Sequence, residues 1–228
     1  MKIAHLADIH VQGKERIQEN KVIFENLYKS LLKVNPELII LAGDIFHTKT
    51  ENITPESISL LVDFFNSLAS VAETHIILGN HDGNLKNEQR EDSISPIIRA
   101  INNSNLFLHK KTETFVKGDY KFFFYSLFDK EGWTTLESPK NDKINISVFH
   151  GSVLGCVYEN GVIANDAEHS EAEISFFKPF DYSMLGDIHK RQDMDKAGKV
   201  HYPGSLSQLD HGESIEKGFT LWEIESKD

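Results

Sequence analysis

The chain has 228 residues, of which 24 are lysine or arginine and 35 are aspartate or glutamate, so its formal net charge is −11 at pH 7. Hydrophobic residues make up 39% and charged residues 26%, which is ordinary for a globular protein and excludes a disordered or membrane-embedded chain. The acidity argues against binding nucleic acid through overall charge, and a single cysteine, Cys156, excludes an internal disulfide and favours a reducing cytoplasm.

The first third of the chain alternates between strand and helix patterns. Apolar runs predict strands over residues 2–7, 37–42 and 75–78. Helical spacing of apolar residues predicts one helix over about 15–34 and a second that begins at Thr54-Pro55. This β-α-β-α-β order implies a parallel sheet with right-handed crossovers.

The remaining two thirds follow a different pattern. A short helix is predicted over residues 92–101 and a weak one over 170–177. Further strands are predicted over residues 120–127, 144–149, 182–185, 200–202 and 219–224. Turn-rich loops join these strands, so we expect a second, mostly antiparallel sheet packed on the first, with helices outside. No repeat, low-complexity tract or linker interrupts residues 1–228, which we interpret as one domain.

Five polar clusters follow the predicted strands along the chain. They are Asp8-Ile9-His10, Gly43-Asp44, Gly79-Asn80-His81-Asp82, His150-Gly151 and Gly186-Asp187-Ile188-His189. Each cluster alone has an ordinary alternative, such as a turn, a helix cap or a salt bridge. Because strand ends of an α/β sheet converge on one edge, the five together favour a site for two divalent cations, an arrangement that hydrolyses phosphate esters.

The spacing within these clusters constrains the local backbone. Asp8 and His10 would point to opposite faces of an extended strand, so the chain must turn there for both to reach one ion. Asp44 suits a bridging position because each carboxylate oxygen can contact a different cation. His47 lies one short turn beyond and could protonate a leaving oxygen or hold a phosphate. Asp82 either orients His81 or caps a local turn.

The order D-x-H, GD, GNHD, H and G-x-x-H resembles the calcineurin-like metallophosphoesterases. That resemblance implies an α/β fold, a four-layer α-β-β-α sandwich of two packed mixed sheets. Within that superfamily, Gly43-Asp44-Ile45-Phe46-His47 with GNHD is similar to the SbcD family of DNA repair nucleases, including bacteriophage members. The late turn Tyr202-Pro203-Gly204-Ser205 also matches this family.

The resemblance implies two Mn²⁺ ions, with Mg²⁺ as the alternative. One would be held by Asp8, His10, Asp44 and His189, and the other by Asp44, Asn80, His150 and Asp187. His81 and His47 would be catalytic histidines that do not bind metal. His81 would assist the departing 3′-oxygen, and His47 would position the scissile phosphate. Most relatives have histidine where Asp187 stands, so Asp187 either binds the second cation or leaves that site weak.

The resemblance also implies an activity and partners. The activity would be that of a 3′–5′ exonuclease on duplex ends and an endonuclease on single strands, in DNA repair and recombination. The partners would be DNA, an SbcC-type coiled-coil ATPase and a second copy of the chain. The family's capping domain and ATPase-binding segment are expected to be absent from residues 1–228. Candidate DNA contacts are Lys86, Arg90, Lys190 and Arg191, with Lys14 and Arg16 also near a motif.

Two other functions remain open. A phosphodiesterase or phosphatase for small substrates could use the same site, and the acidic composition favours it. An inactive scaffold could keep the fold for protein binding, but the presence of both His47 and His81 argues against it. His5, in the first strand, is interpreted as a core or interface histidine. Five other histidines lack motif support and are interpreted as surface or packing residues, namely His75, His109, His169, His201 and His211.

Overall fold

The computed structural model describes residues 1–13, 16–48, 53–87, 90–137, 139, 142–166, 168 and 170–227, so Lys14 and His169 lie outside it. Its helices are α1 (Ile17–Val34), α2 (Pro55–Val71), α3 (Ser95–Ile101) and α4 (Lys130–Thr135), with a 3₁₀ helix at Ile174–Phe177. None of the helices described has the length and apolar character needed to span a bilayer.

The strands form two mixed sheets. They are β1 (Lys2–Leu6), β2 (Leu38–Ala42), β3 (Glu73–Ile77), β4 (Leu106–His109), β5 (Glu113–Lys117), β6 (Tyr120–Tyr125), β7 (Ile144–His150), β8 (Tyr182–Gly186), β9 (Gln192–Asp193), β10 (Val200–Tyr202) and β11 (Thr220–Glu223). The first sheet has the order β11-β1-β2-β3-β4, and the second has the order β5-β6-β7-β8-β10-β9. β11 and β1 are antiparallel, whereas β1 to β4 are parallel.

The expectation of a mostly antiparallel second sheet was wrong. β6, β7, β8 and β10 are parallel to one another, and only the edge strands β5 and β9 run antiparallel to their neighbours. The connections over residues 126–143 and 151–181 are long enough to return the chain to the starting end of the sheet. Because these connections are rich in turn residues, their sequence did not indicate crossovers between parallel strands. β11 also joins the first sheet instead of the second.

Three apolar cores produce the expected four layers. On β2, Ile39 and Leu41 face the core shared with the helices, while Leu38 and Ile40 face the core between the sheets. This alternation follows from the two-residue period of a strand. A third core around Phe149 lies on the outer face of the second sheet, below α4 and the 3₁₀ helix. The layers are therefore α-β-β-α, as the resemblance implied.

A buried histidine network joins the two sheets at one edge. The Nδ1 atom of His75 lies 2.8 Å from Nε2 of His109, and Nε2 of His75 lies 2.9 Å from Oε1 of Glu73. The Nδ1 atom of His109 lies 2.8 Å from Oε1 of Glu113, a residue of the second sheet. Of the surface or packing roles expected for His75 and His109, both take the packing role, since both side chains are buried.

Acid is expected to weaken this edge. Burial lowers the pKa of His75 to about 4, whereas the unfolded chain should titrate near the ordinary value of about 6.5. The unfolded state therefore binds more protons between these values, so stability is present above about pH 6.5 and is lost as the pH falls towards 4. The change attributable to His75 should reach up to about 3 kcal/mol.

Urea unfolding of chelator-treated protein at several pH values measures this effect. We expect His75→Gln to flatten the pH dependence of the unfolding free energy, and the exposed His211→Gln control to leave it unchanged. Identical slopes for the parent and His75→Gln would contradict the assignment.

Candidate metal centre

The five polar clusters meet at the seam between the two sheets. Those that follow β1, β2 and β3 come from the first sheet, and those that begin at the last residue of β7 and of β8 come from the second. The contacts that bring them together include a hydrogen bond from the Asp8 amide to the Gly43 carbonyl at 3.1 Å. Between the sheets, Nδ1 of His150 donates to the Ala42 carbonyl at 2.7 Å, and the Asp187 amide donates to the Asp8 carboxylate at 3.0 Å.

The backbone at the site takes left-handed conformations that side chains other than glycine seldom adopt. The φ angles are 53° at Asp8, 48° at His10, 54° at Asp44 and 96° at Asp187. The turn expected between Asp8 and His10 is therefore present. The Asp44 carbonyl accepts hydrogen bonds from the amides of Ile9 at 2.9 Å and His10 at 3.0 Å, which hold this strained segment in place.

Two glycines permit a close approach of the strand-end segments. A Cβ atom at Gly79 would lie 2.1 Å from Oδ1 of Asp44, and one at Gly43 would lie 2.3 Å from Nδ1 of His150. Real Cβ atoms do not come so close to other heavy atoms, so a larger residue at either position would push these side chains apart.

One group of donor atoms surrounds Nε2 of His10. Nε2 of His189 lies 3.0 Å from it, Oδ2 of Asp44 lies 3.5 Å away and Oδ1 of Asp8 lies 4.0 Å away. These four residues are the set proposed for the first cation. Asp8, His10 and His189 also offer ligand atoms that all lie within 4.8 Å of one another.

A second group surrounds Nε2 of His150. Oδ1 of Asn80 lies 3.1 Å from it, Oδ1 of Asp44 lies 3.4 Å away and Oδ1 of Asp187 lies 3.7 Å away. This is the set proposed for the second cation. Asp44 therefore places one carboxylate oxygen in each group, as a bridging ligand must.

The charges of the site fit divalent cations. Asp8 and Asp44 are buried, Asp187 is partly buried, and none of the three carboxylates pairs with a lysine or arginine among the described residues. Burial raises the pKa of Asp8 and raises that of Asp187 to about 6. Uncompensated buried carboxylates are costly. The carboxylate and amide oxygens of the site suit hard cations such as Mn²⁺ or Mg²⁺, and its imidazole nitrogens suit transition-metal ions.

Burial and neighbouring charges shift the pKa values of His150, Asp44 and His10 in different directions. Burial alone would lower the pKa of His150, but Asp44 and Asp187 outweigh burial, and the pKa of this imidazole is raised. Burial likewise acts to raise the pKa of Asp44, but His150 and His10 outweigh it, and the pKa of Asp44 is lowered. For His10 burial prevails and lowers the pKa to about 3, so this imidazole is neutral and able to bind metal.

The two proposed catalytic histidines lie beside these groups but outside them. The Nδ1 atom of His81 donates to the His47 carbonyl at 2.6 Å, which leaves Nε2 of His81 available to a substrate. The His81 ring lies 5.1 Å from the His10 ring and 6.0 Å from the His47 ring, measured between centroids.

Asp82 caps a turn and does not orient His81. Its Oδ1 atom accepts hydrogen bonds from the amides of Ile45 at 2.9 Å and Phe46 at 3.1 Å, and its Oδ2 atom accepts from the Gly79 amide at 2.9 Å. The carboxylate therefore ties the segment after β2 to the segment after β3. Burial raises its pKa to about 7.

The candidate DNA contacts occupy two places. Lys190 and Arg191 line a cleft of about 520 Å³ next to His189, while Lys86 and Arg90 are exposed after β3. Arg16 instead donates to Glu19 and to the Gln208 carbonyl.

Glu213 is a site residue that the sequence did not predict, because no motif surrounds it. Its Oε1 atom lies 2.9 Å from Nδ1 of His189.

The two-sheet fold and the seam of metal-capable side chains are consistent with a metallophosphoesterase, and comparison with known proteins supports this class. Residues 1–197 match the model of the calcineurin-like phosphoesterase family, and the chain belongs to that family. Its members bind divalent metals and hydrolyse phosphate esters.

Individual relatives extend this comparison. The chain is 35% identical to an uncharacterized protein of Acanthamoeba polyphaga mimivirus over 99% of its own length and 17% of that protein. It is 26% identical to the SbcD subunit of nuclease SbcCD from Staphylococcus epidermidis over 99% of its length and 67% of that protein. It is 25% identical to the DNA double-strand break repair protein Mre11 of Nanoarchaeum equitans over 98% and 64% of the two chains.

Proposed function

We propose that this chain is a two-metal DNA phosphodiesterase that uses Mn²⁺. Its activity would be that of a 3′–5′ exonuclease on double-stranded ends and an endonuclease on single strands, in DNA repair and recombination. The observation that carries the proposal is the position of Asp44, with Oδ2 in the group around His10 and Oδ1 in the group around His150. The named nuclease relatives support DNA as the substrate.

The chain's own residues would fix two cations in relation to each other. The first would be held by Asp8, His10, Asp44 and His189, and the second by Asp44, Asn80, His150 and Asp187. When bound, two such cations lower the pKa of water and stabilise the charge that gathers on the phosphoryl oxygens. The buried Asp8 and the His150 imidazole, fixed by the Ala42 carbonyl, would keep this geometry rigid.

His81 would act on the leaving group. Because Nδ1 donates to the His47 carbonyl, Nε2 is the atom of His81 that would hold the proton to be given to a substrate. That proton would pass to the departing 3′-oxygen, a transfer that contributes typically 10²- to 10⁴-fold to the rate. His47, stacked beside His81, would position the scissile phosphate.

A polyanionic substrate needs local positive charge, since the chain as a whole carries −11. Lys190 and Arg191 on one side of the seam and Lys86 and Arg90 on another would contact the DNA backbone. We propose that residues 1–228 are the nuclease unit of an assembly with an SbcC-type ATPase and a second copy of the chain. The relative named as part of nuclease SbcCD supports this partnership.

A phosphodiesterase for small substrates is the second candidate, because it would need no basic surface. Side-by-side assays with Mn²⁺ separate the two: an end-labelled linear duplex, and a chromogenic phosphodiester such as bis(4-nitrophenyl) phosphate. We expect Mn²⁺-dependent release of nucleotides from the duplex and loss of activity with chelator. Turnover of the chromogenic substrate alone would favour the small-substrate enzyme, and calorimetry without Mn²⁺ uptake would leave an inactive scaffold.

A further inference from the structure

His189 is held from its Nδ1 side by a network of largely buried charged side chains. Oε1 of Glu213 accepts from Nδ1 of His189 at 2.9 Å, and Oε2 of Glu213 lies 2.9 Å from Nζ of Lys217. By contrast, Nδ1 of His150 donates to a backbone carbonyl, and Nδ1 of His10 is buried with no hydrogen-bond partner among the described residues. His189 is also more exposed than His10 and His150, with 28% of its side chain accessible.

Lys217 contacts the backbone carbonyl of His189 directly and the His189 ring through Glu213. Its ammonium group donates to Oε1 of Glu159 at 2.7 Å and to the His189 carbonyl at 3.0 Å, in addition to its contact with Glu213. An ammonium group has three donors, and these three acceptors satisfy all of them. Lys217 and Glu213 are each only 7% exposed, so neither is a solvated surface charge.

The backbone around Glu213 fixes its carboxylate in turn. The Leu209 amide donates to Oε2 of Glu213 at 3.0 Å, and Nε2 of Gln208 donates to the Glu213 carbonyl at 2.7 Å. The carboxylate therefore reaches His189 from a segment that is itself held in place. Such a carboxylate fixes the tautomer and the ring orientation of a metal-binding histidine and makes the imidazole a better donor.

We infer that Glu213, held by Lys217, is a positioning residue for the first cation site: it keeps the proton of His189 on Nδ1 and turns Nε2 towards His10, Asp44 and Asp8. This inference rests on the two-metal site of the proposed function. It concerns one cation only, because in the described part of the chain the Glu213 side chain has no hydrogen bond or ion pair with the group around His150. The segment from Gln208 to Lys217 therefore controls occupancy of one half of the centre.

Titration with Mn²⁺ alone, by calorimetry and without DNA, tests the inference. We expect the parent to bind two Mn²⁺ and Glu213→Ala to bind one of them roughly 10- to 100-fold more weakly, the usual effect of removing such a partner. Glu216→Ala is the matched control: Glu216 lies on the same segment, is exposed, and its amide bonds to Ser214. It should leave both affinities unchanged.

Tautomer-sensitive nitrogen NMR of the His189 imidazole gives a second readout that a general loss of stability would not produce. The parent should show the proton on Nδ1, and Glu213→Ala should show a mixture of tautomers. If Glu213→Ala does not fold, Glu213→Gln decides the matter: it keeps an acceptor but no charge, and should weaken one cation by a smaller factor.

The possible results distinguish failure of the proposed metal centre from failure of the role assigned to Glu213. A parent that takes up no Mn²⁺ would remove the metal centre and the proposed function with it. A parent that binds two Mn²⁺, together with Glu213 variants of unchanged affinity and tautomer, would overturn the role of Glu213 alone.

Discussion

Asp44→Asn is expected to remove both cations and to reduce duplex cleavage by about a thousandfold or more. Asparagine keeps the size and shape of the side chain and tolerates the left-handed backbone found at this position, so the fold should survive. It lacks the charge that two cations would share. The loss corresponds to about 4 kcal/mol of transition-state stabilisation, within what bound cations supply.

Metal analysis and thermal unfolding measure the effect of Asp44→Asn without relying on activity. Mn²⁺ should raise the melting temperature of the parent because it binds the folded state, and this increase should vanish in the variant. Asp63→Asn, an exposed carboxylate on α2, is the control and should behave as the parent. Retention of two equivalents of Mn²⁺ by Asp44→Asn would show that the carboxylate does not bridge the cations.

His81→Ala is expected to lower cleavage by roughly 10²- to 10⁴-fold while the protein keeps its metal. The imidazole lies outside both groups of converging donors, so metal content should not depend on it. The contact between His81 and Asp44 uses the backbone amide, at 2.9 Å from Oδ1, and alanine retains that amide. The loss should therefore fall on the chemical step.

Single-turnover cleavage of end-labelled duplex, combined with metal analysis, separates the outcomes for His81→Ala. His211→Ala, which changes an exposed histidine, should match the parent. Equal cleavage by His81→Ala would remove the imidazole from the mechanism, and loss of Mn²⁺ from the variant would make it part of the metal centre instead.

The strand ends that build the site were predictable because apolar runs and the polar residues after them are local in the sequence. Thr54-Pro55 likewise predicted the start of α2, where Thr54 accepts from the Ser57 amide and Pro55 takes the first helical position. The turn at Asp8 followed from the requirement that two neighbouring side chains reach one place. In each case the residues needed for the prediction lie next to one another in the sequence.

Contacts between distant segments were not predictable in this way. The direction of β7 depends on a crossover whose composition resembles loop sequence, and the pairing of β11 with β1 joins the two ends of the chain. Glu213 lies far from every motif and belongs to the site only through its contact with His189. Asp82 stood inside a motif, yet its role depends on the Ile45 and Phe46 amides of another segment.

The location of the centre between the two sheets has a thermodynamic consequence. His10 and Asn80 come from the first sheet, and His150 and His189 come from the second. Each cation would therefore be held by residues from both sheets. Ion affinity and the docking of one layer on the other are then reciprocally linked. A substitution deep in the shared core, such as at Ile40 or Phe122, would change ion occupancy without touching a donor atom, and ion loss would in turn loosen that core.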